Sequence, residues 1–114
     1  MNIRIGCLDF ELCLVDDLHD KENHERLGGS ISYEELIISI HKTLCTEKRW
    51  QVCIHEIVHG LLTACEIELE EKQVNLLSSH LAMFLRDNNL GAIGYYLGLE
   101  DQTNKGQKGD GFPE

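Results

Sequence analysis

In the stretch "CIHEIVHGLL", residues 53–62, His55 and His59 stand four apart with Glu56 directly after the first. On a helix, residues at that spacing project from one side a turn apart, so two imidazole nitrogens can reach one metal ion at about 2.0–2.1 Å. A catalytic zinc takes three protein ligands and keeps a position for water. Glu56 is placed to act on that water rather than to bind the metal. The segment therefore has the H-E-x-x-H arrangement of zinc-dependent hydrolysis, with Zn2+ as the expected cofactor and Glu56 as general base. Burying these ionisable groups without a partner would cost several kcal/mol, roughly, and one metal ion would satisfy them together.

The third ligand must come from another element, and an acidic run follows at Glu68, Glu70 and Glu71. If the first helix ends near Ala64, His59 lies about 7 Å from that end and Glu71 about 4 Å into the returning helix, at similar heights. Asn75, one turn after Glu71, is placed to hydrogen-bond a ligating carboxylate, which favours Glu71. Glu70 points closer to the middle of a Val74, Leu77, Leu81 stripe and stays open on spacing alone. Gly60 costs about 1 kcal/mol in a helix relative to Ala. Its missing side chain is read as keeping the metal's open side accessible.

The elements that must hold these groups are legible in outline. "IRIGCLDFELCLV" reads as strand, turn, strand, with the break at Gly6. "SISYEELIISI" gives two more short strands around a turn at Glu34 and Glu35. Between them, "DDLHDKENHERLGGS" has no usable period and is read as a surface loop, with His19 and His24 solvated. Thr46 is the expected N-cap of a helix whose buried stripe is Trp50, Cys53, Ile54, Ile57, Val58, Leu61 and Cys65. "CEIEL" interrupts that period. A second helix, from about Glu68 to Arg86, would bury Val74, Leu77, Leu81, Phe84 and Leu85 and stop at "DNNLG". The expected fold is α+β: a small antiparallel sheet of about three or four short strands on two main helices. It forms a single domain over residues 1–99 with a flexible polar tail over 100–114.

Bulk properties narrow the function. A chain of 114 residues has room for one modest core. With 20 acidic against 10 basic residues the formal net charge is −10, which disfavours phosphate backbones and anionic lipid, so neither nucleic acid nor membrane is an expected partner. No basic region precedes an apolar run at the start, and no stretch reaches membrane-spanning length. The five cysteines are odd in number and lack C-x-x-C pairing, as expected of reduced thiols in a cytoplasmic protein.

The segment from "SYEELIISI" to "FLRDN" resembles the small zinc-metallopeptidase-like proteins of phages and prophages, distant and minimal relatives of the ImmA/IrrE-type gluzincins. The resemblance runs from the opening "IRIG" to "RDN", and its specific parts are "HEIVHG" and the glutamate helix "EEKQVNLLS". It implies a minimal gluzincin-like fold with the sheet on the H-E-x-x-H helix and zinc on His55, His59 and a glutamate of the next helix. That glutamate is best matched by Glu71, with Asn75 in the place of the acidic or amide residue that supports the ligating carboxylate. It implies hydrolysis of a peptide bond in a protein or peptide substrate, in the host cytosol if the protein is phage-encoded. The chain departs from the pattern in offering no matched Tyr or His for an oxyanion; Tyr33, Tyr95 and His80 are the residues of suitable type, and His80 is expected to be exposed. Two other readings remain: a catalytically inactive zinc-stabilised interaction protein of the same fold, and a metal-free regulator with a nucleic-acid-like acidic surface. The second leaves the His and Glu spacing unexplained.

Overall fold

The computed structural model describes residues 1–16 and 28–99. His19, His24 and the polar tail lie outside the described residues. The elements are β1 (Asn2–Ile5), β2 (Leu8–Val15), β3 (Gly29–Ser32), β4 (Ile37–His41), α1 (Thr46–Cys65), α2 (Glu71–Asp87) and α3 (Leu90–Tyr96). Both hairpins lie where the period-two runs place them. Gly6 turns the first at φ 64°, and Glu34 and Glu35 lie in the second.

The α+β class with a small sheet is as expected, but the sheet is mixed rather than antiparallel. Strand order is β1-β2-β4-β3, and β2 pairs with β4 in parallel, Leu12 opposite Ile38 and Leu14 opposite Ile40. The reason is the composition of the second hairpin. "IISIH" is nearly continuous in apolar residues, and its Ile38, Ile40 and His41 are all buried, which suits a central position. The short "GSIS" strand has little to bury and takes the edge.

One face of the sheet carries Ile3, Ile5, Phe10, Leu12, Ile31, Ile38 and Ile40, and α1 lies across it through Val52, Cys53 and Ile57. Gly60 serves this packing. A Cβ there would stand 2.8 Å from Ile5 Cδ1 and 3.2 Å from Ile31 Cδ1, so the glycine lets the helix approach the sheet and does not open the metal side. Gly29 does the same from β3, where a Cβ would meet Val52 Cγ1 at 2.5 Å.

Helix α1 starts one residue earlier than expected. Cys45 is its N-cap and Thr46 its first residue, with no side-chain cap. Arg49 ties the helix to the preceding turn, donating from Nε to the Leu44 carbonyl at 3.0 Å and from Nη2 to that of Lys42. Leu61 and Cys65, expected in the buried stripe, are exposed. The helix closes at Glu66 in the left-handed region, whose N–H donates to Thr63 while that of Ile67 donates to Leu62.

Helix α2 begins at Glu71, after Glu70, and its buried face is Val74, Ser78 and Ala82. Leu77 and Phe84, assigned to the buried stripe from the sequence, are 47% and 49% exposed. The helix has apolar residues on more than one side, and the side turned to α1 is the one carrying Ser78, which meets His55, and Ala82. Trp50 anchors it, donating from Nε1 to the Ala82 carbonyl at 2.9 Å.

By packing, the chain divides into two compact units, Met1–Ala82 and Met83–Glu114. The first holds the sheet, α1 and most of α2. The second holds the end of α2, where the Asn88 side chain donates to the Phe84 carbonyl, and α3, whose N-cap Asn89 accepts from the Ala92 N–H. No helix among the described residues is long and apolar enough to cross a membrane, and all five cysteines are unpaired.

Candidate metal centre

Helix α1 brings His55 and His59 together as its period requires, with their Nε2 atoms 3.1 Å apart. The first residue of α2 completes the group: Glu71 Oε2 lies 3.1 Å from His55 Nε2, and Oε1 lies 3.3 Å from His59 Nε2. Three ligands at tetrahedral angles about 2.05 Å from one ion would be about 3.3 Å apart, so the observed separations fit a single small cation. His55, His59 and Glu71 can therefore hold a metal ion.

The choice between the two glutamates follows from the register of α2. Glu71 precedes Val74 by three residues and lies on the Val74, Ser78, Ala82 face. Glu70 is the residue before the helix: its carbonyl accepts from the Val74 N–H and its own N–H donates to Gln73 Oε1 at 3.0 Å. The angular argument for Glu70 rested on a stripe through Leu77 and Leu81, which is not the face turned to α1.

Ser78, not singled out from the sequence, fixes the orientation of His55. Its hydroxyl donates to the Asn75 carbonyl at 3.3 Å and lies 3.3 Å from His55 Nδ1. With its proton committed to Asn75, the Ser78 oxygen accepts from His55 Nδ1–H, which leaves the Nε2 lone pair turned toward Glu71 and His59. Only the H-x-x-x-H spacing measured against a correctly registered α2 would have exposed this partner. Asn75 lines the same cavity; its backbone carbonyl serves Ser78, and no hydrogen bond joins its side chain to Glu71.

Burial lowers the pKa of His55 below its ordinary 6.5, an effect that the Glu71 carboxylate opposes, so at neutral pH the imidazole is uncharged and able to ligate. Glu56 is 9% exposed and is not one of the three converging groups. Burial first, and the nearby Glu71 carboxylate second, push its pKa up from 4.5 to about 7. A carboxyl poised there can take and return a proton near neutral pH.

These groups border a polar cavity of about 320 Å³, with Gly28 and Gly29 of the β3 side, Val52, His55 and Glu56 of α1, and Glu71, Asn75 and Ser78 of α2 in its wall. Of the three residues considered for an oxyanion, Tyr33 accepts from Thr63 Oγ1 at 3.1 Å, one helical turn beyond His59, and packs edge-on against Phe10. His80 is exposed on α2, and Tyr95 lies on α3, 73% exposed. No family model, curated protein or solved structure matches the chain.

Proposed function

We propose that the chain is a small zinc-dependent peptide hydrolase, as its resemblance to the phage H-E-x-x-H proteins implies. The observation that carries the reading is the convergence of three acceptor atoms, His55 Nε2, His59 Nε2 and a Glu71 carboxylate oxygen, at 3.1–3.3 Å. A cation placed among them would be reached by a lone pair of each group at once. Two nitrogens and one oxygen are a donor set that suits zinc.

When bound, zinc supplies an acidified water and polarises the scissile carbonyl. Glu56 accepts the water's proton on its carboxylate and delivers it to the departing amine, so no covalent intermediate with the protein is required. Ser78 holds His55 in the ligating tautomer throughout. An extended peptide is the substrate class this reading favours. β3 is the edge strand on the cavity side, and among the described residues its outer edge pairs with no other strand.

The direct test is metal analysis of the purified full chain. About one zinc per chain is expected, with His55→Ala or His59→Ala abolishing tight binding and lowering Tm, because metal bound to the native state adds to its stability. Metal-free protein from zinc-replete cells, with melting unaffected by chelator, would sink the reading.

A further inference from the structure

Within the cavity wall one group has no part in the hydrolysis just described. Among the described residues, Lys48, in the first turns of α1, is the one lysine or arginine lining the cavity, and it makes no ion pair or hydrogen bond with another of them. Lys48 and His55 are seven residues apart, which on a helix puts them within about 20° of one face and about 10 Å apart along the axis. Gln51 lies between them in the wall, and Asn75 and Ser79 face them from α2. An unpaired ammonium in a chain of formal charge −10 has many carboxylates to choose from. Lys48 is exposed, and the cavity wall it shares also carries the amides of Gln51 and Asn75 and the hydroxyls of Ser78 and Ser79.

We propose that Lys48 is the anchor of a substrate carboxylate, so that the peptide the site takes carries an acidic group close to the bond it presents to His55, His59 and Glu56. The inference rests on the peptide-hydrolase reading and extends it to a substrate class. An extended chain advances about 3.3 Å per residue, so the span from Lys48 to His55 corresponds to about three residues. The carboxylate is either an Asp or Glu side chain at that distance or the free C-terminus of a peptide that ends there. Gln51, three residues on from Lys48 along α1, supplies an amide N–H donor for its second oxygen.

The test uses the full-length, zinc-loaded chain carrying Glu56→Gln, so that bound peptides are not consumed, immobilised and exposed to a set of hexapeptides. Each peptide has Asp or Asn at one position and is made both with a free C-terminal carboxyl and as the amide. Retained peptides are quantified by mass spectrometry. Carboxylate-bearing members should be retained about tenfold over their amide counterparts, the size expected of a charge-assisted contact at a partly exposed site. Preference among the C-terminal amides identifies the side chain as the source; preference that disappears on amidation identifies the terminus. Lys48→Met should abolish the preference, and Lys48→Glu should transfer it to peptides with Lys in place of Asp. Equal retention of Asp and Asn forms, retention of no peptide at all, or a preference that survives Lys48→Met and so belongs to the metal, overturns the proposal. Zinc content measured on the same samples separates the two readings. Zinc without a Lys48-dependent preference removes only the carboxylate anchor, whereas a Lys48-dependent preference in a chain that takes up no zinc removes the hydrolase and keeps the anchor.

Discussion

His55 Nδ1 and the Ser78 hydroxyl are 3.3 Å apart, and this contact ties the H-E-x-x-H helix to the helix that supplies Glu71. Ser78 is 97% buried on the face of α2 that also carries Val74 and Ala82, a position that apolar patterning would give to a leucine. The burial of a hydroxyl there is explained by its two partners, His55 and the Asn75 carbonyl.

Removing the hydroxyl should therefore act on the metal more than on the fold. Ser78→Ala is expected to weaken zinc binding roughly 10–100-fold while far-ultraviolet circular dichroism stays unchanged. Competition against a chelator of known affinity measures it. Unchanged affinity would mean that His55 is oriented by the metal alone.

Glu71→Ala should strip the zinc, and Glu70→Ala should leave it bound. Glu71 lies within 3.3 Å of both histidines, whereas Glu70 contributes its backbone to the start of α2. Metal content of the two variants, prepared in parallel, decides between them. The reverse order would shift α2 by one residue.

The raised pKa of Glu56 predicts a pH-dependent cost in the metal-free protein. Folded Glu56 keeps its proton up to about pH 7, but the unfolded chain releases it near 4.5. Its contribution to stability is full below about pH 4.5 and is lost as pH rises through about 7. Glu56→Gln removes this loss, so the metal-free variant should match wild type at pH 4.5. At pH 8 it should be more stable by a few kcal/mol, roughly. His55 titrates in both proteins and largely cancels in the comparison. Urea titrations at the two pH values supply the check, and a variant no more stable than wild type at pH 8 would contradict the assigned burial of Glu56.

Gly60→Val should destabilise the fold by about 1–3 kcal/mol, because the added atoms press into Ile5 and Ile31 in the core. Zinc affinity should change little. A loss of metal with unchanged stability would return Gly60 to the metal side.

The sequence carried the four strands, the two long helices and the His-Glu-His spacing because each rests on local signals: period two, period 3.6 and turn residues. Strand order was not local. The parallel β2–β4 pair arises from which strand of the second hairpin has more to bury, a comparison of "IISIH" with "GSIS" that alternation alone does not make. The buried face of α2 was misread for a related reason. Leucines lie on several sides of that helix, and the side turned to α1 is marked by Ser78 meeting His55 and by Trp50 reaching the Ala82 carbonyl. Helix α3 left little pattern, since Gly91 and Gly94 lower its propensity and none of its residues is buried. Glu71 was favoured through a neighbour, Asn75, whose side chain makes no hydrogen bond to it. The residue that orients the site, Ser78, had no signal until the two helices were registered against each other.

The central claim, that the metal site serves hydrolysis, is tested most directly by comparing peptide cleavage by wild type and Glu56→Gln at matched zinc content. Glutamine keeps the size of Glu56 and avoids its buried charge but cannot take a proton from water. Zinc stoichiometry should therefore be the same in both proteins, and cleavage should fall by at least about 100-fold in the variant. Equal cleavage by the two zinc-loaded proteins, or full biological performance by Glu56→Gln, would contradict the account and leave a zinc-stabilised binding protein in its place.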